Sequence, residues 1–567
     1  MPLMGSLYIG SSGLQTSQNA MNTVAHNITN ADTAGYVRES VLLSTRTYNT
    51  ISINTASVSN QQIGLGVYYS KVSQNRDYFL DQSYRKESGR SAFYEASSDA
   101  LDAVGTVFGE LYGATFSDSM DDLWTAIQEL AKTPTSSVNQ GLLVQYASTF
   151  IESAQAVYQG LEDYQDNLNL KVKSMVNTIN DYGDQIKELN GEIVKIESGG
   201  VESANDLRDE RNLLLDELTS LANIAYAEDA TGVVTVKIEG TDFVTTDKVY
   251  EIAVQKDNDT GFYTPYWKQE AKADVNGNLD ITNAKVFNLT TKISTDMDTD
   301  VGQLKAVLLA RGDKRADYTD IPIEPVSTDY PLPDGTTYAQ AQAQYNTDKT
   351  AYDKKISQSI IVNVMAEFDQ LIHNVTTTIN KVLADAADKD SGYLCDSDGN
   401  PLQLFTKIGS DGYNSTGTYV EEDSDAAETL YSVMNLQVNR DLTKEPTLLG
   451  FKTATGASDY TVTDALKAAF SGTKAALNPN VTKKSNFVTY YSDLVSQISN
   501  SASVYSGFQA TQETTVAAIE TARQQVIGVS TDEELTYMIQ YQNAYNAASR
   551  YINVIDEMLE HLINKLG

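Results

Sequence analysis

Cysteine and histidine are scarce in this chain of 567 residues, which has one cysteine and three histidines. Cys395 has no second cysteine to pair with, so burial and packing must hold the fold without an internal disulfide. His26, His373 and His561 lie far apart in the sequence, and no His-Glu-x-x-His pattern supplies a zinc ligand set. We therefore expect no redox chemistry, no metal site and no cofactor.

Long apolar runs and a signal peptide are also missing. No run approaches the roughly 20 apolar residues that cross a bilayer, and the mean hydropathy is negative. The first 37 residues contain no Lys or Arg, whereas a signal peptide begins with a positive segment and continues with an unbroken apolar one. We expect a chain that spans no membrane and that either stays in the cytoplasm or is exported without a cleavable signal.

Positive charge is in short supply. The 76 acidic and 41 basic residues give a formal net charge of -35, which argues against binding to nucleic acid or to an anionic membrane surface. The nucleophile elbow Gly-x-Ser-x-Gly and the phosphate-binding motif Gly-x-x-x-x-Gly-Lys are both absent. We expect no enzyme, although paired carboxylates for glycoside chemistry remain open among so many acids.

The two ends of the chain have helical periodicity. Small and apolar residues recur at steps of three and four from Leu7 to Ile28, and the remaining positions carry Ser, Thr, Asn and Gln. The last apolar stripe runs almost to the final residue, after Thr531 and Glu534, which are spaced as a capping box. Because chain ends fray unless something docks on them, we expect the first and last helices to pair with each other.

The regions between the ends differ in their periodicity. The strongest helical pattern, from Val157 to Ile196, predicts a helix of about 40 residues, and Ser119 with Asp122 is spaced as a capping box for an earlier helix. After about residue 227, alternating apolar residues predict strands. The tripeptide Arg-Gly-Asp at residues 311–313 directly follows a helical stretch, so we interpret it as a helix end and not as an adhesion motif.

These patterns predict an α+β multidomain fold. A long helical bundle or coiled coil would be built from both chain ends, with a β-rich or mixed α/β outer domain inserted between them. The predicted divisions are 1–90 with 525–567 for the terminal helical region, 91–226 with 481–524 and possibly 356–385 for the long helical bundle, and 227–480 for the inserted outer domain.

Both ends resemble the flagellar axial protein family, which comprises rod, hook and hook-associated proteins. The resemblance is carried by SGLQTSQNAMNTVAHNITNADTAGYVRES at residues 12–40 and by GVSTDEELTYMIQYQNAYNAASRYINVIDEMLEHLINKLG at residues 528–567. Ala34 stands where many members of the family have Pro. Four segments between the ends resemble one branch of this family specifically, the FlgK family of hook-filament junction proteins. They lie at residues 78–104, 120–137, 207–218 and 302–313.

The resemblance assigns assembly residues at both ends. In the N-terminal motif the implied assembly residues are Leu14, Met21, Asn27, Ile28, Asn30, Thr33, Gly35, Tyr36 and Arg38. In the C-terminal helix the residues implied for assembly and for chaperone binding are Leu535, Ile539, Gln542, Tyr545, Ile552, Ile555, Leu559 and Leu562.

The resemblance also implies a function and partners. It implies a structural subunit of the extracellular bacterial flagellum, exported by the type III apparatus without a cleavable signal peptide and assembled as a ring that joins hook to filament. The implied partners are other copies of itself, the hook protein, the next hook-associated protein (FlgL-like) and an FlgN-like export chaperone, with no nucleic acid and no membrane. Two alternatives stay open: a hook or rod subunit, and an axial scaffold that displays an enzymatic or adhesive middle domain.

Overall fold

Helices dominate the structure, a computed structural model that describes residues 3–47, 49–52, 61–109, 115–200, 202–273, 279–332, 335–410, 412–414, 416–453 and 456–566. In chain order the helices are α1 (Leu3–Thr29), α2 (Tyr78–Phe108), α3 (Phe116–Lys132), α4 (Ser137–Glu197), α5 (Asn205–Leu221), α6 (Gln303–Arg311), α7 (Tyr338–Lys355), α8 (Ile360–Ala386), α9 (Arg440–Lys444), α10 (Tyr460–Ser471), α11 (Phe487–Ile527) and α12 (Thr531–Leu566).

The strands form small antiparallel sheets. Their bounds are β1 (Glu39–Thr45), β2 (Asn49–Ser52), β3 (Gln61–Ile63), β4 (Val67–Gln74), β5 (Ile224–Glu228), β6 (Val234–Ile238), β7 (Thr241–Val244), β8 (Ile252–Lys256), β9 (Tyr263–Trp267), β10 (Lys272–Ala273), β11 (Leu279–Asp280), β12 (Phe405–Lys407) and β13 (Leu436–Val438). Within the described residues, β5, β6 and β7 make a three-stranded sheet, and the pairs β1-β4, β2-β3, β8-β9, β10-β11 and β12-β13 make two-stranded ones.

The first and last helices pack against each other, as predicted. They run antiparallel, because Asn27 near the end of α1 bonds Glu534 near the start of α12, while Gly10 lies against Ile552. A Cβ atom on Gly10 would lie 2.7 Å from Cγ1 of Ile552, so the two helices approach closely only because this side chain is missing.

A helical body lies next to the terminal pair. Its longest member, α4, has 61 residues and therefore extends over about 90 Å. Helices α3 and α5 pack along α4, and α11 packs along α2. The helix α4 is longer than predicted because its buried stripe already begins at Gln140 and Leu143, well before the expected start at Val157.

The inserted segment combines strands with helices. Strand β6 contains the alternating residues that predicted it, and its three apolar side chains are buried. The segment also contains α6 to α10, of which α8 is buried along most of its length. The architecture is thus α+β, and the inserted part is mixed rather than dominated by sheets. Arg311 ends α6 and is 2% exposed, so the Arg-Gly-Asp tripeptide is a helix end, as interpreted.

Some sequence expectations need correction or remain predictions. The capping box before α3 is wrong, because Thr115 and Asp118 form the box while Ser119 lies inside the helix and its hydroxyl donates to the carbonyl of Phe116. The division into domains stays a prediction. Its boundaries at residues 90 and 525 fall inside α2 and α11, so each of these two helices continues from one predicted region into the next.

Candidate functional site

Asn27 is the centre of a buried polar contact where α1 ends and α12 begins. Its side-chain nitrogen donates to the carbonyl of Glu39 (2.9 Å) and to Oε2 of Glu534 (3.0 Å). Its side-chain oxygen accepts from the hydroxyl of Tyr36 (2.8 Å) and from the backbone N–H of Glu39 (3.0 Å). Asn27 is 0% exposed, and its amide uses both of its donors and both of its acceptor positions.

Arg38 completes the contact from the other side. Its Nε donates to Oε1 of Glu534 (2.8 Å), and its guanidinium also pairs with Glu533 (3.2 Å). Burial alone would lower the pKa of Arg38, but the hydrogen bond and the attraction from Glu534 outweigh it and raise that pKa above its ordinary value. Bonds between charged groups of this kind are the stronger hydrogen bonds of proteins. The capping box predicted for Thr531 and Glu534 is wrong, because Glu534 is 2% exposed and bonds Asn27 and Arg38 instead.

The turn after α1 uses three more of the predicted residues. The hydroxyl of Thr33 donates to the side-chain oxygen of Asn30 (3.2 Å), a local bond that is typical of turns. Gly35 has a φ of +79°, and a Cβ there would lie 3.2 Å from Cβ of Leu213 on α5. Both the backbone conformation and the close approach therefore require glycine at this position.

Residues of α5 also hold this turn, and the sequence reasoning did not identify them as site residues. Oδ2 of Asp209 accepts from the backbone N–H of Val37 (2.9 Å), and its Oδ1 accepts from Nε2 of Gln74 (2.8 Å). Burial raises the pKa of Asp209 to about 7. Asp206 pairs with His26 at 3.1 Å. The FlgK-like segment at 207–218 contains Asp209 and directly follows Asp206, so the sequence did mark this region. It could not show the partners of the two acids, which are more than 130 positions away.

The apolar residues predicted for assembly divide into two groups. On α1, Leu14, Met21 and Ile28 are all partly buried. On α12, Ile555 is buried, and the partly buried residues are Tyr545, Ile552 and Leu559. The other four residues are exposed, and they are Leu535, Ile539, Gln542 and Leu562. The predicted C-terminal set thus contains one group that packs within the chain and another that is open to solvent.

The three apolar members of the open group belong to a larger set of exposed apolar residues, which we call the outer face of α12. Its members are 40–66% exposed, and they are Leu535, Tyr537, Ile539, Tyr551, Val554, Met558, Leu562 and Ile563. An accumulation of exposed apolar residues on one helix is a candidate surface for protein contacts. Residues 3–31 and 535–549 contain no Asp, Glu, Lys or Arg, so the terminal pair is almost free of charge over much of its length.

The described part of the chain contains neither a membrane-spanning helix nor a metal-binding cluster. None of its helices combines the length and the apolar character that crossing a membrane requires. Among the same residues, no three His, Cys, Asp or Glu side chains come together as ligands for a metal ion.

Comparison with known families matches the ends and the body of the chain separately. Residues 101–319 match the family described as flagellar hook-associated protein FlgK helical domain. Residues 525–565 match the flagellar basal body rod FlgEFG protein C-terminal family, and residues 7–36 match the flagella basal body rod protein family. The first of these two terminal matches covers most of α12. The second covers most of α1 and the turn that follows it.

Relatives named flagellar hook-associated protein 1 align with nearly the whole chain. The protein of Bacillus subtilis is 24% identical over 557 residues, which is 98% of this chain and 96% of the relative. The protein of Salmonella typhimurium is 25% identical over 578 residues, which is 98% of each chain.

A solved structure supports the fold. The flagellar hook junction protein FlgK from Burkholderia pseudomallei superposes with a TM-score of 0.50 at 13% identity, covering 80% of this chain and 100% of that chain. Together with the family matches at both ends and in the helical body, and with relatives that align along its length, these findings show that the chain is similar throughout to flagellar hook-associated proteins of the FlgK type.

Proposed function

We propose that this chain is a structural subunit of the junction between flagellar hook and filament, and that it assembles through its terminal helix pair, with the outer face of α12 in contact with neighbouring copies. The observation that carries the proposal is the set of exposed apolar residues on a helix that also packs against α1. Copies with a net charge of -35 repel each other. Contact through the uncharged stretches at residues 3–31 and 535–549 keeps that repulsion small where the copies meet.

The proposed assembly is a ring with the terminal pairs at its centre. The helical body surrounds them, and the inserted segment at 227–480 faces outward. The ring contacts the hook protein on one side and the next hook-associated protein, FlgL-like, on the other. The match of residues 101–319 to the FlgK helical domain supports this role over that of a hook or rod subunit.

The route to the assembly site is part of the same proposal. The chain is exported by the flagellar type III apparatus without a cleavable signal peptide and acts outside the cell. An FlgN-like chaperone covers the C-terminal apolar residues before export, including Leu559 and the 45% exposed Leu562. The relatives are structural proteins, and we propose that this subunit performs no catalysis.

A charge on the outer face of α12 tests the proposal. Ile539 is 59% exposed, so Ile539→Asp leaves the monomer folded but places a carboxylate in the contact between copies, where burial of an unpaired charge is unfavourable. We expect unchanged thermal unfolding of the monomer together with hooks that carry no filament in electron micrographs of cells producing the variant.

The control is Val138→Asp on α4, where the parent side chain is 75% exposed, and this variant should assemble filaments normally. Filaments of normal length with Ile539→Asp would contradict the proposal.

The chaperone is tested separately. In a pull-down with the chaperone as bait, Leu562→Asp should reduce the amount of subunit captured, while Val138→Asp should not.

A further inference from the structure

Arg523 is the centre of a buried group of ion pairs where α11 approaches its end. It is 6% exposed. Its Nε donates to Oδ1 of Asp81 on α2, and its Nη2 donates to Oδ2 of Asp216 on α5, both at 2.7 Å. Its guanidinium lies 4.6 Å above the ring of Tyr84. One side chain therefore joins three helices of the body.

Each of these carboxylates also binds a second arginine. Arg85 donates to Oδ1 of Asp216 at 2.6 Å, and Arg76 donates to Oδ2 of Asp81 at 3.1 Å. Burial by itself would lower the pKa of Arg523, but the attraction of Asp216 and Asp81 raises it above its ordinary value. The two carboxylates therefore favour the charged form of the Arg523 guanidinium.

The ion pairs continue from the body into the terminal helix pair. Arg76 also reaches Oδ1 of Asp209 at 3.5 Å, and Asp209 accepts from the backbone N–H of Val37. The next residue, Arg38, donates its backbone N–H to the carbonyl of Ile527 (2.8 Å) and its Nε to Glu534 (2.8 Å). Polar contacts thus follow one another from α2 and α5 to the start of α12.

The contacts lie close to the short connection between α11 and α12. Helix α11 ends at Ile527 and α12 begins at Thr531, so only residues 528–530 connect them. A cavity of about 460 Å³ lies beside this connection and is lined by Tyr84, Arg523 and Gly528 among others. Apart from the buried side chain of Ile527, the surroundings of this connection are therefore partly open.

Buried ion pairs restrict geometry more than they stabilise. The loss of solvation of the charges offsets most of their attraction, so the net stability gained is small. The planar fork of arginine, in contrast, accepts carboxylates only from defined directions. A cluster of three arginines and two aspartates therefore allows few orientations of α2, α5 and α11 relative to one another.

We propose that Arg523, Asp81 and Asp216 form a rigid joint that fixes the end of α11 on α2 and α5 and, through the short connection at residues 528–530, restricts the angle between α11 and α12. The joint determines the direction in which the terminal helix pair leaves the helical body. Arg523 acts as a positioning residue, since a subunit placed between two polymers has to present its inner helices at one angle in every copy. This inference concerns the isolated subunit and does not depend on which face of α12 contacts a neighbour.

Distance measurements in the full-length monomer test the joint. Spin labels are attached at Glu210→Cys on α5 and Asn543→Cys on α12, both exposed in the parent, in a chain that also carries Cys395→Ser. Pulsed electron paramagnetic resonance should give one narrow distance distribution. With Arg523→Lys, which keeps the charge and loses the fork, we expect a broader distribution, and with Arg523→Met a broader one still.

Two controls separate the joint from general loss of structure. A label pair within the body, Glu188→Cys with Glu210→Cys, should keep its distribution in all variants, and Arg440→Met, which replaces an exposed arginine, should change neither pair. If circular dichroism shows that Arg523→Met does not fold, Arg523→Lys decides. The proposal is overturned if the folded variants keep the parent distribution between α5 and α12, or if the pair within the body broadens equally.

Discussion

At the scale of single residues, the polar contact between Asn27 and Glu534 joins positions that are 507 residues apart in the chain. Local spacing assigned Glu534 to a capping box with Thr531, which is a sound prediction for an acid three residues after a threonine. A buried amide and the guanidinium of Arg38 are stronger partners for this carboxylate than one backbone N–H of its own helix. The sequence could not show that these partners would be near.

We predict that Asn27→Ala destabilises the protein by about 1–3 kcal/mol, since it removes the bonds of Asn27 to Oε2 of Glu534 and to the N–H of Glu39, both of which are buried or partly buried. Urea unfolding measures the loss, and hydrogen exchange should locate it at α12. Asn22→Ala is the matched control, because Asn22 is an exposed residue of the same helix and should change stability by less than about 0.5 kcal/mol. Equal effects of the two substitutions would contradict the prediction.

Glu367 on α8 predicts a dependence of stability on pH. It is fully buried, and Asn478 and Gln497 donate to its two oxygens at 2.8 Å. Burial raises its pKa to about 7, against about 4.3 in an unfolded chain. Between these values the folded chain keeps a proton that the unfolded chain releases, so the contribution of Glu367 to stability is complete below about pH 4 and is lost as the pH rises through 7.

We expect Glu367→Gln to have little effect on the free energy of unfolding at pH 4 and to raise it relative to the parent at pH 8, because the amide needs no proton. Urea unfolding at several pH values measures the difference. Burial also raises the pKa of Asp369 to about 7. Asp369 is present in both the parent and the Glu367→Gln variant, so its contribution cancels in the difference between them. Asp385→Asn on the exposed side of α8 should show no such trend, and a difference that is constant with pH would count against the prediction.

At the scale of elements, the pairing of α1 with α12 depends on the small residues of α1. Periodicity predicted both helices and their pairing correctly, since a stripe of apolar residues needs a partner wherever it occurs. It did not show which glycine lies at the contact. Gly10 touches Ile552, whereas a Cβ on Gly5 would meet nothing within 4 Å, although both glycines lie in the same helix.

We therefore predict that Gly10→Val weakens the α1-α12 contact by about 1–3 kcal/mol through overpacking against Ile552. Gly5→Val is its matched control, because it introduces the same β-branched residue into the same helix without a neighbour to displace. Hydrogen exchange of the amides in α12 measures the contact, and only Gly10→Val should accelerate it. Similar exchange rates in both variants would show that the effect comes from the low helix propensity of valine and not from packing against Ile552.

At the scale of the whole molecule, charge is distributed unevenly. The net charge is -35, yet residues 3–31 and 535–549 contain no charged side chain of the Asp, Glu, Lys or Arg type. Whole subunits therefore repel each other at long range while the proposed contact surfaces attract at short range through apolar burial. The balance between these two effects depends on the salt concentration.

We predict that self-association of the purified subunit strengthens as NaCl increases from 50 to 500 mM. Salt shortens the distance over which the acidic subunits repel, to about 10 Å at 0.1 M, and the stretches at residues 3–31 and 535–549, which lack Asp, Glu, Lys and Arg, have no ion pairs of these residues to lose. Sedimentation velocity at fixed protein concentration measures the association. Dissociation with rising salt would indicate that ion pairs between copies hold the assembly.

The sequence by itself determined the helical ends, their pairing, the mixed inserted segment and the family resemblance. Each of these rests on a local pattern, such as a repeated apolar spacing or a motif of known composition, that does not depend on distant contacts. Only the tertiary structure decided that Ile555 is buried while Ile539 is exposed, that Glu534 bonds Asn27, and that Arg523 joins α2, α5 and α11. The burial of a given residue and the identity of its bonding partners depend on which surfaces meet after folding. The spacing of nearby residues does not show which distant residue will become a neighbour.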